Sequence, residues 1–475
     1  MENKSSPVSS APAFPLLLGI CCAIFLSDKG FASYIAVSVA VLICLAWMLL
    51  GTERPSRYLP YAFAILTTLT VLLSVCFLAR IKAETVFPSS IDTFGRITMN
   101  REWGRQRAIM IQTSYGCVSA YVPVNNAPPE GTNVRIRGAV FDFKRSDKKT
   151  DFDEYYFWRS KGASKKVVVL ELSVISKPTW LHKWRNFIEQ KIRDKLPERT
   201  AAYMLAITVG TRDKTLTQLH KNAGTVHLLA VSGFHVGILA ALLGFIFRKR
   251  KSKIIFMSLG IWFYVFLTGA SPGGLRAALM LQIYLAGLAV GRPSSAFNSV
   301  SMAGVLLLTV NPWSFYDIGW RLSMTSALFI SAAGKYIKRS FISAGLLSMA
   351  VWFVTASQVA FYFKNAPVAG IFINAIAVPV FALIFPCIFL LSLPSLFGMP
   401  FALFFSNISE YLLEAWEMFS HLFTTLIPWS ISYTMPLLSA SALLFGAAAA
   451  FASDFPRRRI SLASILCLAF VLLFA

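Results

Sequence analysis

The sequence predicts a polytopic α-helical membrane protein with a small extracytoplasmic β-barrel inserted between its spans. Three observations carry that expectation. The 475 residues are 56% hydrophobic and only 14% charged, with mean hydropathy +0.62, values that belong to the membrane class. Apolar runs recur along most of the chain. Between residues 83 and 195 the texture changes to strand-like alternation rich in basic side chains.

The first apolar segments lie at 14–26, 32–50 and 59–79. The first is shorter than the ~20 residues a spanning helix needs, and Ser27-Asp28-Lys29-Gly30 reads as a tight turn into the second. No small-residue cleavage pattern follows, which argues against a secretory signal peptide. Arg54 and Arg57 in the next link favour the cytoplasm. That places the N-terminus inside and the region after Ala79 outside.

In the second region Ile109–Tyr115, Asn133–Val140 and Lys166–Val174 read as strands. Val134 and Ile136 alternate with Arg135 and Arg137, the pattern of a half-exposed strand. Pro123–Gly131 is turn-rich and Asp142–Thr150 is a charged loop, so a small β-barrel fits best. Residues 80–200 hold 23 basic and 13 acidic side chains, a large share of the formal charge of +23. Trp180-Leu-His-Lys-Trp184 and the basic helix after it suggest a descent along the membrane interface.

From Thr200 onward spans are expected at 226–247, 254–270, 274–290, 299–310, 318–333, 341–361, 367–393, 401–421, 431–452 and 460–475. Several are short or broken by Gly and Pro, as backbone buried within a bundle allows. The basic clusters at 248–253, at Lys335, Lys338 and Arg339, and at Arg457–Arg459 then all fall on the cytoplasmic side. The organisation is three-part: helices in 1–82, the basic β domain in 83–195 and a multi-span domain in 196–475.

Three polar constellations interrupt the apolar runs. In His227-Leu-Leu-Ala-Val-Ser-Gly-Phe-His235, the groups Ser232, Gly233 and His235 sit in what reads as a span. Unpaired in lipid they would cost several kcal/mol, so they line a wet path or pack between helices. In Thr268-Gly-Ala-Ser-Pro-Gly-Gly-Leu-Arg276, glycines break the chain beside Arg276. That guanidinium could hold phosphate through its fork of donors, snorkel to the interface, or pair with Asp317. Asp317 and Arg321, four apart, would share a helical face, with Ser323 extending the polar edge and Asn374 a later candidate. The amphipathic Leu216–Gly224 stretch could shape an outer entrance.

No hydrolytic, metal or cofactor centre is expected. The five histidines make no HxH or HExxH pattern, and no P-loop is present. Six of seven cysteines lie in apolar runs without a CxxC pair.

The order of these motifs resembles the ComEC-type competence proteins, bacterial inner-membrane DNA-uptake channels. The 227–235 segment is similar to that family's signature, preceded by Gly210 and Ala223-Gly224. Gly269–Met280 resembles its next segment, with Arg276-Ala277 as the Arg-Ala step. Asn311-Pro312, Asp317, Gly319 and Leu322-Ser323 resemble a further one, and Asn374 with Pro379 its late Asn–Pro helix. The barrel would be the family's OB-like domain, closed by the Phe152-Asp153 to Gly162 segment. Trp320 and Arg321 depart from the usual Phe and neutral residue, and Thr211 replaces an acidic one. The family's metallo-β-lactamase-like C-terminal domain is missing from the sequence.

The resemblance implies passage of single-stranded DNA from periplasm to cytoplasm, with no enzyme activity in this chain. Arg135, Arg137, Lys165 and Lys166 would attract phosphates, while Tyr155 and Trp158 would either stack on bases or simply fill the barrel core. The partners implied are single-stranded DNA, a periplasmic DNA-binding competence protein, a cytoplasmic single-strand-binding protein or helicase-type motor, and a separate nuclease. Two other readings use the same residues. One is a secondary transporter for a small anionic solute, the other a scaffold whose polar clusters serve only packing.

Overall fold

The computed structural model describes residues 12–31, 33–51, 59–82, 87–146, 152–178, 180–211, 213–291, 295–334 and 340–474. Arg54, Arg57, Lys335, Lys338 and Arg339, used above for orientation, lie outside the described residues. In chain order the helices begin with α1 (Ala13–Asp28), α2 (Ser33–Gly51), α3 (Leu59–Lys82), α4 (Glu154–Lys161), α5 (Trp180–Lys195) and α6 (Glu198–Thr208). There follow α7 (Lys214–Asn222), α8 (Val226–Leu229), α9 (Gly233–Ile246), α10 (Arg250–Leu267), α11 (Pro272–Ala289) and α12 (Ala296–Val310). The last are α13 (Ile318–Ala333), α14 (Phe341–Phe363), α15 (Ala369–Phe397), α16 (Ala402–Leu426), α17 (Met435–Ala452) and α18 (Ile460–Phe474). Contacts divide the chain into a helical unit (Met1–Val75, Ile188–Leu306, Ile318–Ala475) and a barrel unit (Cys76–Phe187, Leu307–Asp317).

The helical unit is that of a polytopic membrane protein. Gly345–Phe363, Ala369–Phe397 and Met435–Ala452 are each long and apolar enough to cross a bilayer, and shorter apolar helices accompany them. Leu383, Leu390 and Leu403 are exposed, as lipid-facing side chains are. Inside, Tyr203, Leu205, Phe381, Phe385, Leu413 and Trp416 pack together. α15 runs 29 residues through Pro379, Pro386 and Pro394. Each proline deletes a backbone donor, a loss tolerated where neighbouring helices cover the freed carbonyls.

One expected span is corrected. Residues 226–247 do not form a continuous helix: α8 stops at Leu229, and α9 starts only at Gly233. Ser232 is extended (φ −129°, ψ 174°) and caps α9. The signature therefore sits at a helix break, where its polar atoms have local work to do.

The barrel unit holds five strands: β1 (Ser90–Trp103), β2 (Gln106–Thr113), β3 (Gly116–Pro123), β4 (Asn133–Phe141) and β5 (Lys165–Ser176). They close in the order β1-β2-β3-β5-β4, antiparallel except for β3 against β5. That is the ring order of an OB-like barrel. Ile97, Ile109, Ile111, Val118, Val134, Ile136 and Val167 fill it. β4 keeps the expected alternation, with Val134 and Ile136 buried and Arg135 and Arg137 outside. At Gly138, beside a register shift, a Cβ would lie 2.3 Å from the Val168 carbonyl oxygen, so only glycine lets β4 and β5 approach there. α4 is inserted between β4 and β5. Its N-cap is Asp153, whose carboxylate accepts the Tyr156 N–H at 3.1 Å, and Gly162 ends it in the left-handed region at φ 98°.

Candidate nucleic-acid interface

On the barrel, an open cleft of about 580 Å³ is lined by Trp103, Gln106, Tyr121, Lys144, Arg145, Ser146, Phe152, Glu154 and Lys166. Its walls come from the β1–β2 turn, from β3, and from the β4–β5 connection. In OB folds the face of the second and third strands and these two connections take oligonucleotides. The volume lies within the ~300–1,000 Å³ usual for small-ligand sites.

Aromatic and cationic groups alternate around the cleft. Trp103 and Phe152 meet at 5.4 Å between ring centroids, with Phe152 exposed at the rim. The Lys166 ammonium lies 5.0 Å from the Tyr121 ring and 3.0 Å from the Glu154 carboxylate. Tyr121 donates to the same Glu154 oxygen at 3.0 Å and accepts from the Trp158 indole N–H at 2.9 Å. Burial pushes the Tyr121 phenol up to about 12, so it stays a neutral donor at ordinary pH. Arg145 rests over Tyr155 at 4.3 Å. Flat apolar surface beside cations suits a strand whose bases stack while its phosphates are neutralised.

The candidates named from sequence fare unequally. Lys166 lines the cleft. Lys165 sits on the same strand, paired with Asp142. Trp158 cannot stack on DNA as expected, because it is fully buried against Phe143, Tyr121 and Trp103. Tyr155 is half-buried, with the Arg145 guanidinium over its ring. Arg135 pairs with Asp92 on the outer face of β1 and β4, away from the cleft lining, and its guanidinium holds the Asp92 carboxyl below the usual range. Arg137 lies on that same face, opposite Asp92 and Glu171. Trp103, Gln106, Lys144, Arg145 and Phe152 were missed. Only the charged loop holding Lys144 and Arg145 gave a sequence signal, whereas closure of the ring is what brings Trp103 to it.

In the helical unit three signature segments converge. A Cβ on Gly273 would lie 2.6 Å from the Val231 carbonyl oxygen, so the start of α11 abuts the break before α9. Gly224 (φ +70°) approaches the Gly370 Cα, and Asn374 donates to the Gly224 carbonyl at 3.3 Å. The Ser232 hydroxyl accepts the Phe234 N–H at 3.3 Å, and His235 Nδ1 accepts the Ser232 N–H at 3.4 Å. This is a capping box with histidine in the place of glutamate. The box leaves the remaining proton on His235 Nε2, which is buried and has no hydrogen-bond partner among the described residues. The imidazole stacks on Phe385, 5.0 Å between centroids. Arg276 is buried at the start of the second turn of α11.

Gly233, the first residue of α9, is exposed. Arg321 and Ser323 lie half-buried on α13. Asp317 is corrected: it is extended backbone ahead of α13 and so does not share a helical face with Arg321. Its carboxylate takes the Lys161 ammonium. Among the described residues no group of three His, Cys, Asp or Glu could hold a metal ion.

The cap makes a testable demand. Ser232→Ala removes the acceptor for the first turn of α9 and should cost about 0.5–2 kcal/mol. We expect a lower yield of folded protein in detergent, restored by Ser232→Thr. Equal yields of all three proteins would mean that the cap carries no weight.

The family model described as "Competence protein" matches residues 207–458, just over half of the chain and all three converging segments. The chain belongs to the competence protein family. This competence protein is 34% identical over 227 residues to ComE operon protein 3 of Bacillus subtilis (strain 168), an alignment covering 44% of the chain and 29% of that relative. It is 26% identical over 244 residues to an uncharacterized protein of Aquifex aeolicus (strain VF5), covering 50% of the chain and 58% of the relative. The match thus spans less than two thirds of either relative. No solved structure matches. The barrel of the competence protein precedes the family-matched stretch.

Proposed function

We propose that this chain is an inner-membrane channel that passes single-stranded DNA from the periplasm to the cytoplasm during natural transformation. The observation that carries this reading is the cleft at the OB-type loops, where Trp103 and Phe152 offer stacking surface beside Lys144, Arg145 and Lys166. Membership of the competence family supports it. The barrel lies outside the cell membrane with the N-terminus inside, and receives the strand from a periplasmic DNA-binding competence protein. Arg276 and the Ser232–His235 turn border the onward path through the helices, with Asn374, Arg321 and Ser323 further along. A cytoplasmic single-strand-binding protein or helicase-type motor pulls the strand, and a separate nuclease removes its complement.

The test is uptake of labelled DNA in host cells carrying wild-type protein, a deletion, or Arg276→Ala at matched membrane level. The deletion should abolish the cytoplasmic signal while DNA still reaches the periplasm, and Arg276→Ala should reduce it severalfold. Undiminished cytoplasmic DNA in the deletion strain would end the channel reading and favour transport of a small anionic solute.

A further inference from the structure

Asp317 was expected on the membrane path, yet the segment Asn311–Asp317 belongs to the barrel unit. It forms a short 3-10 turn, Pro312–Tyr316, capped by Asn311 and joining α12 to α13. Four side chains of this segment, those of Asn311, Trp313, Tyr316 and Asp317, meet α4. The Asn311 amide donates to the carbonyls of Arg159 and Ser160, at 3.2 and 3.0 Å, in the last turn of α4. The Ser160 carbonyl belongs to the set that a helix C-terminus leaves unpaired, and the Arg159 carbonyl also accepts the Gly162 N–H at 2.9 Å. Asp317 holds Lys161 at the same end. Trp313 meets Tyr155 edge-on at 5.3 Å, and Tyr316 stacks on Tyr156 at 4.3 Å and 26°.

The other end of α4 carries the rim of the cleft. Tyr155 N–H donates to the Lys144 carbonyl at 3.2 Å. Asp153, the N-cap, accepts the Ser146 N–H at 3.1 Å. The Arg145 guanidinium lies over Tyr155 at 4.3 Å and near Tyr156 at 5.7 Å. The Arg145 guanidinium therefore rests on two tyrosines, and the turn grips those same tyrosines from beyond.

From this arrangement we infer that Asn311, Trp313, Tyr316 and Asp317 are positioning residues of the barrel's DNA cleft, setting Arg145 through Tyr155 and Tyr156. The inference rests on the DNA-binding reading only for what the cleft holds. The geometry it claims concerns the protein alone. Long cationic side chains lose much rotamer freedom on ordering, so a rim already held in place binds phosphate with less entropy to lose.

Two readouts on the full chain in detergent test it. In hydrogen exchange without DNA, Tyr316→Leu and Asn311→Ala should speed exchange in α4 and at residues 144–146, while Tyr316→Phe, which keeps the ring, should match wild type. In binding of a fluorescent oligo-dT, Tyr316→Leu should weaken affinity by about as much as Arg145→Ala, and the double variant by no more than either, because coupled sites do not add. The two single losses should also flatten the salt dependence equally. Unchanged exchange together with multiplicative binding losses would overturn the inference. If wild-type protein binds no oligonucleotide, the DNA reading of the cleft fails, and the exchange data alone then decide the positioning claim. Slow exchange in Tyr316→Leu would overturn it and fast exchange would support it.

Discussion

Replacing Trp158 by alanine is expected to unfold the barrel. The side chain is fully buried, its indole N–H is spent on Tyr121, and it touches Phe143, Trp103 and Phe157. Removing a buried tryptophan costs about 3–5 kcal/mol through lost transfer energy and the cavity left behind. That is a large part of the ~5–15 kcal/mol that holds a domain together. The Tyr121 hydroxyl would also lose its donor, and Lys166 and Glu154 are both arranged around it. Protease sensitivity of residues 87–178 in the full chain is the measurement. A Trp158→Ala barrel as resistant as wild type would mean that the aromatic layer beneath the cleft is dispensable. Trp158→Phe, which keeps most of the apolar volume, should fall between the two.

The second large effect is functional. Trp103→Leu keeps an apolar side chain against Phe157 and Tyr121 but removes the broad ring at the cleft. A base stacked on an aromatic side chain is worth about 1–3 kcal/mol, so oligonucleotide affinity should fall roughly 5- to 150-fold. The salt dependence should stay as in wild type, since no phosphate contact is lost. Arg145→Ala should show the opposite signature, with a shallower salt slope. If Trp103→Leu binds as wild type, bases do not rest on this wall of the cleft.

These two tryptophans also measure how far the sequence can be read. Trp158 closes the aromatic run Tyr155–Trp158 and Trp103 stands among Arg101, Glu102 and Arg105, and nothing local distinguishes a base-stacking ring from a core ring. The ring of strands decides it: α4 turns Trp158 inward over β3, while the end of β1 leaves Trp103 at the cleft. A similar limit hides two of the strands. β4 alternates Val134 and Ile136 with Arg135 and Arg137, while β2 and β5 carry short apolar runs rich in branched residues. β3 buries Val118, Ser119 and Ala120 in succession, and β1 alternates in burial but puts Thr93 and Gly95 at half-buried positions, so neither stands out as a strand by its apolar residues.

In the helical unit the apolar runs mark the helices closely, because twenty or so residues of lipid-compatible sequence have few other uses. The polar residues inside them were harder to place. Ser232 and His235 look like groups in a span, but three residues apart they form a cap, and that spacing is the only local hint of a helix break. Asp317 and Arg321 have the spacing of a helical pair, but the helix begins between them. Asp317 is spent instead on Lys161, 156 residues earlier in the chain.

Composition, apolar periodicity and motif order thus determined the membrane class, the inserted barrel and the family, since each depends on properties summed along the chain. The lining of the cleft, the burial of Trp158 and the grip of Asn311–Asp317 on α4 were decided by tertiary structure. They depend on which distant residues the closed barrel brings within a few ångströms, and hydrogen bonds, ring contacts and ion pairs act only at that range.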